Sequence, residues 1–234
     1  MLHFHFFSSV VMSTFSLKSN FLISSPSNAL CPKADRPEYV FIGRSNVGKS
    51  SLINAICGKH GLAKTSAKPG RTQLINYFTV DITEKIHQED EGGEPVGESS
   101  RDSHTHQYIV DLPGYGYAKA TRDQRAQREK MIAGYLQNRV TIQQIFVLID
   151  SRHTPQVIDI AFIKKLVTYN KPFSLVMTKS DKISQKEAAL HLKMLLGEIT
   201  KFTDIVPPCF VTSAEKASSV KKIIEAMVRM TNDV

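Results

Sequence analysis

The sequence predicts an α/β fold: a mostly parallel six-stranded sheet with one antiparallel edge strand and helices on both faces. Three observations lead there. Short runs rich in Val, Ile, Phe and Tyr recur at 39–42, 75–82, 107–112, 144–150, 172–177 and 208–212. Stretches with apolar residues at helical spacing lie between most of them. The runs are continuously apolar rather than alternating, which marks strands buried on both faces of a parallel sheet.

The elements follow in order. Residues 1–19 are apolar but interrupted by His3, His5 and several serines, and no Lys or Arg precedes Lys18. The positive start of a secretory signal is therefore missing. This stretch is expected to be an extension without stable structure, with the folded domain running over 20–234. Residues 25–37 are turn-rich and lead into the first strand, 39–42. A helix over 51–57 follows. No helix separates 75–82 from 107–112, so that pair is expected to be antiparallel, with one strand at the sheet edge. Thr121 and Gln124 can form a capping box before a helix over 124–139, whose stripe is Met131, Ile132, Tyr135 and Leu136. The stretch 156–169 carries Ile160, Ile163, Leu166 and Val167 at helical spacing. Ser184 and Glu187 make a second capping box before 185–201. The last helix, 218–231, has Val220, Ile223, Ile224 and Met227 at i, i+3, i+4 and i+7.

Between the antiparallel strands lies 84–105, with seven acidic residues, two basic ones and almost no large apolar side chain. Such a segment cannot offset the entropy of ordering and is expected to be a flexible insert at a hairpin tip. Its net charge of −5 leaves +13 on the rest of a chain whose total is +8. A body that basic suits a polyanionic partner. The 234 residues are 41% apolar and 22% charged, which excludes a wholly disordered chain, collagen and a long coiled coil. No run approaches the roughly 20 apolar residues that cross a bilayer. Cys31, Cys57 and Cys209 are too few and too scattered for a disulfide framework or a zinc site. A cytoplasmic protein without a membrane partner is expected.

The strongest motif is Gly43-Arg44-Ser45-Asn46-Val47-Gly48-Lys49-Ser50, a match to GxxxxGK[ST] between a strand and a helix. Its glycines let successive N–H groups turn toward phosphate oxygens, and the helix start adds partial positive charge. Lys49 can reach the outer phosphates and Ser50 can ligate Mg²⁺. Asp111-Leu112-Pro113-Gly114 closes an apolar run some 60 residues on; its carboxylate can hold Mg²⁺ through water, and a Gly N–H can meet a γ-phosphate. Thr178-Lys179-Ser180-Asp181 closes another run and resembles the guanine-reading [NT]KxD of GTPases. Asp181 can accept from N1–H and the N2 amino group of guanine, a pair adenine lacks, while the Lys179 stem covers the base. Val211-Thr212-Ser213-Ala214 resembles the loop that offers backbone N–H to guanine O6. Between helix 51–57 and the next strand, Thr65 and Thr72 both stand where a switch-loop Thr would meet Mg²⁺ in the GTP state.

Together these stretches resemble the EngB/YsxC family of small bacterial GTPases related to Era. The resemblance rests on residues 43–54, on Lys68-Pro69-Gly70-Arg71-Thr72-Gln73-Leu74-Ile75-Asn76, on Asp111 to Ala118 and on Asp150-Ser151-Arg152. It implies a Ras-like P-loop GTPase domain, GTP/GDP and Mg²⁺ binding, and a monomer working on the large ribosomal subunit or its precursors through rRNA. It further implies a need for the protein in normal cell division and septation. It selects Thr72 over Thr65 as the second Mg²⁺ ligand beside Ser50, and brings Gly70, Arg71, Gln73 and Leu74 into the binding set. Lys49, Thr72 and Asn46 are the expected catalytic groups, Asn46 by matching a loop Asn that helps related GTPases bind K⁺. The sequence departs from the family in 1–19, in the insert 84–105 and at Glu215.

Tyr115 follows Gly114 where Ras-type enzymes have a glutamine that orients the attacking water. A phenol cannot do that in the same way, so slow intrinsic hydrolysis is expected. A kinase using the same loop is a rival reading, opposed by the guanine motif; a non-catalytic guanine-nucleotide scaffold on RNA is the other. Arg122, Arg125, Arg128 and Lys130, with Lys216, Lys221, Lys222 and Arg229, are the candidate RNA contacts.

Overall fold

The computed structural model describes residues 10–64, 74–89, 103–116 and 121–232. Among the described residues, seven strands form one sheet: β1 (Val10–Ser25), β2 (Glu38–Gly43), β3 (Ile75–Glu89), β4 (Ser103–Asp111), β5 (Ile142–Asp150), β6 (Phe173–Thr178) and β7 (Cys209–Val211). Their order is β1-β3-β4-β2-β5-β6-β7. β2, β4, β5, β6 and β7 run parallel, while β1 pairs antiparallel with β3, and β3 with β4.

Five α-helices among the described residues cover the sheet: α1 (Lys49–Ile56), α2 (Arg122–Asn138), α3 (Val157–Thr168), α4 (Gln185–Ile199) and α5 (Ala217–Asn232). Side chains of β2 and β5 alternate between two cores. Val40, Ile42, Ile145 and Val147 meet α2, α3 and α4 on one face. Tyr39, Phe41, Phe146 and Leu148 meet α1 and α5 on the other. This two-sided burial is why those runs read as continuously apolar. The Thr121–Gln124 capping box is complete at the start of α2. Ser184 accepts from the Glu187 N–H at the start of α4.

Two expectations need correction. The sheet has seven strands rather than six, because residues 10–19 belong to β1 instead of a structureless extension. β1 is thus the edge, and β3 lies inside it. Ser13, Phe15, Leu17 and Ser19 point inward by alternation, with Phe15 and Leu17 against the α1/α5 core. The Ser19 hydroxyl donates to the Cys57 carbonyl at 2.9 Å. The insert is also shorter than 84–105. Residues 84–89 extend β3, and β4 begins at Ser103, pairing with Glu84. Residues 90–102 lie outside the described residues.

A buried polar cluster closes the N-terminal end of the parallel strands. Glu38 is fully buried and accepts from Tyr135 and from Arg139 Nε at 2.7 Å. Arg139 also donates to the Pro32 carbonyl at 2.7 Å, and the Tyr77 hydroxyl donates to that of Tyr135 at 3.2 Å. The cluster ties the leader, β2, β3 and the end of α2 together, at the end of the sheet opposite the phosphate loop.

Candidate nucleotide site

The sequence motifs converge at the C-terminal ends of β2, β4, β6 and β7, where open α/β sheets bind ligands. Gly43 ends β2, residues 44–47 form the turn, and Gly48 caps α1 in the left-handed region at φ 99°. Asn46 is left-handed too, at φ 63°. Lys49 and Ser50 open the helix. Lys49 is buried and paired with Asp111, which ends β4. Burial pushes its ammonium down to about 7, while the adjacent carboxylate favours the charged form. The pair leaves a cation at the helix start with a partner it can exchange for phosphate.

Gly114 sits hard against the phosphate loop. A Cβ there would come within 2.8 Å of the Gly43 carbonyl oxygen and 3.3 Å of the Ser45 nitrogen. Only a residue without Cβ permits that approach, so the peptide stands beside the loop as the γ-phosphate reading requires. Leu112 is wholly buried, and its N–H donates to the Phe41 carbonyl at 3.1 Å. It and the buried Pro113 act as scaffold. Tyr115 points away from the site, into the α2/α3 core, with its hydroxyl donated to Asp159 at 2.9 Å. The expectation that it does not orient water thus has a geometric basis.

The base-reading loops join the phosphate loop directly. The Thr178 hydroxyl lies 2.6 Å from the Val47 carbonyl oxygen. Lys179 is left-handed at φ 57°, and its ammonium donates to the Asn46 carbonyl at 2.6 Å and to Asp150 at 2.9 Å. The Ser180 N–H donates to the Thr212 carbonyl at 3.1 Å, locking the β6 and β7 loops together. These walls enclose a cavity of about 210 Å³, lined among others by Gly48, Lys179, Asp181, Thr212, Ser213 and Ala214. Ser213 and then Lys182 hold the Asp181 carboxyl down at about 2, so it is an ionised acceptor. Val211 is 44% exposed and outside this cavity. Leu74 is exposed beside β3. Gly70, Arg71, Thr72 and Gln73, like Thr65, lie outside the described residues.

Sequence reasoning missed Asp150 as a member of the site. Burial tends to raise its carboxyl, but Arg152 and Lys179 together hold it well below the usual carboxylate range. Its signal was present: like Asp111, it closes a buried apolar strand.

Fold and site define a P-loop protein that binds guanine nucleotide and hydrolyses GTP. A family model described as a 50S ribosome-binding GTPase matches residues 38–179. The "Probable GTP-binding protein EngB" of Porphyromonas gingivalis is 40% identical over 208 residues, covering 89% of this chain and 92% of the relative; that of Christiangramia forsetii is 38% identical, covering 92% and 98%. The chain belongs to the EngB family of GTP-binding proteins. A crystal structure of a probable GTP-binding protein engB shares the fold, with a TM-score of 0.58 at 18% identity, covering 84% of this chain and all of that one.

Proposed function

We propose that this GTPase is a monomeric, cytoplasmic switch in assembly of the large ribosomal subunit, engaging rRNA in its GTP form. A role in normal division and septation would follow from that work. The observation that carries the reading is the match to a family model described as 50S ribosome-binding. Charge supports it: the body outside 84–105 carries +13, and Arg122, Arg125 and Lys130 are exposed on α2, close after the Gly114 turn.

The mechanism follows from the residues. The phosphate-loop N–H groups and the α1 start hold the α- and β-phosphates. Lys49 exchanges Asp111 for the outer phosphates. The Gly114 peptide N–H meets the γ-phosphate, so this turn distinguishes GTP from GDP. The oxygen donors Ser50 and Thr72 would hold Mg²⁺, with Asp111 acting through water. Asp111 fits that role, since it stands at the loop with Lys49 already beside it. When bound, Mg²⁺ neutralises charge developing between the β- and γ-phosphates. With Tyr115 buried, intrinsic hydrolysis is slow; Asn46 would help hold K⁺, which would supply positive charge beside the phosphates.

Co-sedimentation with large-subunit particles over a salt series tests the switch, using a non-hydrolysable GTP analogue against GDP. The GTP form should bind more tightly, and its affinity should fall steeply with salt as counterions are released. Arg125→Glu with Arg128→Glu should weaken particle binding and leave nucleotide affinity unchanged. Equal, salt-insensitive binding of both forms would overturn it.

A further inference from the structure

A buried carboxylate on α3 joins the two segments that must cooperate to recognise GTP. Asp159 lies in the first turn of α3 and is wholly buried. Its Oδ1 accepts from the Tyr115 hydroxyl at 2.9 Å and from Arg44 Nε, in the phosphate loop, at 3.1 Å. Its Oδ2 is buried without a hydrogen-bond partner. The Tyr115 ring stacks on Phe162, also of α3, with centroids 4.4 Å apart. Arg44 and Tyr115 are further joined by a parallel β-bridge. Gly116 closes the turn at φ 74°, and a Cβ there would fall 2.5 Å from Ile158 Cδ1.

Stability alone does not account for this arrangement. A buried ion pair often contributes no more than well-packed apolar residues of the same volume, and a half-satisfied carboxylate contributes less. The neighbours of Asp159 on α3, Ile158 and Ile160, are apolar. The carboxylate supplies a link that an apolar side chain could not. It fixes the spacing between the phosphate loop, through Arg44, and the Gly114–Gly116 turn, through Tyr115.

We infer that Asp159 is a positioning residue for GTP: acting through Tyr115 and Arg44, it clamps the Gly114 turn against the phosphate loop so that the Gly114 N–H is preset for a γ-phosphate. The inference rests on the GTP-site reading above. GDP has no phosphate to place at that N–H, so the clamp serves GTP selectively. Tyr115 then has a definite task. It is the tether of the turn, in the position where other GTPases carry a water-orienting side chain.

The test uses the full chain with Mg²⁺, fluorescent GDP and a fluorescent non-hydrolysable GTP analogue. Tyr115→Phe removes only the tethering hydroxyl; Asp159→Asn keeps an acceptor and removes the charge. Each should weaken the GTP analogue by about fivefold to tenfold, the worth of one hydrogen bond, while GDP affinity stays within about twofold. The double variant should be no weaker than Asp159→Asn alone, because both act through one link. A parallel loss of both nucleotides, or no loss of either, would overturn the clamp and leave Asp159 a structural residue. If Asp159→Asn fails to fold, Tyr115→Phe alone decides by the same ratio. Failure of the wild type to bind GDP would instead defeat the GTP-site reading, and the clamp with it.

Discussion

Asp181 meets Lys182 across 3.0 Å and hydrogen-bonds with Ser213, so its carboxylate is formed before any base arrives. The site therefore spends no free energy on ionising its guanine acceptor. Asp181→Asn should weaken GTP binding by a few kcal/mol, through loss of two hydrogen bonds in an enclosed pocket. It should favour xanthosine triphosphate, whose C2 oxygen can accept from the new amide. Competition binding among GTP, ATP and xanthosine triphosphate checks this, and equal wild-type affinity for ATP and GTP would refute the base assignment. At this scale the sequence was legible wherever chemistry is written in short spacings, as in residues 43–50, 111–114 and 178–181. It was illegible where partners are distant in the chain. Lys179 meets Asp150 across 29 residues, and Arg44 meets Asp159 across 115. No local pattern marks Asp159, which stands in an otherwise apolar stripe.

Among the elements, β1 shows how a strand can escape notice. Its inward positions include Ser13 and Ser19, whose hydroxyls break the apolar alternation although the period of two is kept. Ser19 is satisfied by the Cys57 carbonyl, a long-range bond that composition does not reveal. The acidic stretch misled in the opposite direction. Residues 84–89 are polar except Ile86, yet they pair in register with Phe15 back to Val10. On an edge ribbon, backbone pairing does not demand apolar side chains on both faces. Two replacements by a short Asn-Gly turn separate these regions. Exchanging 90–102 should leave the melting temperature nearly unchanged, since closure entropy depends only weakly on the length of a connection. Exchanging 84–105 removes the partners of Val10–Phe15 in β1 and should lower it by about 5–10 °C, from the loss of several cross-strand pairs. Equal effects would show that the ribbon contributes nothing to stability.

Over the whole molecule, the two ends of the sheet divide the work. The residues of the candidate nucleotide site gather at the C-terminal ends of the parallel strands, while Glu38, Tyr77, Tyr135 and Arg139 seal the other end. Arg139→Leu should strand the buried Glu38 carboxylate and cost about 3–5 kcal/mol. GDP affinity measured well below the melting temperature should not change. A drop in GDP affinity matching the loss of stability would mean that the two ends are coupled. The fold class was legible because burial on both faces left continuous apolar runs, and the short strand β7 falls within the run read at 208–212.

The strand order has a consequence for a chain made from its N-terminus onward. β2 carries the phosphate loop, but its neighbours β4 and β5 emerge only after long intervening segments. The base pocket needs β6 and the loop after β7 as well. Non-local pairings of this kind form late, and partly made chains expose unpaired strands. Guanine therefore cannot help the early chain to fold, because its binding site is among the last parts to be made. A product broken off before Val211 would carry Asp181 but lack Ser213, which holds its carboxylate, and the Thr212–Ala214 wall of the pocket, so it should tell guanine from adenine less well. Full guanine selectivity in a fresh translation product thus reports that the loop after β7 has been made and docked.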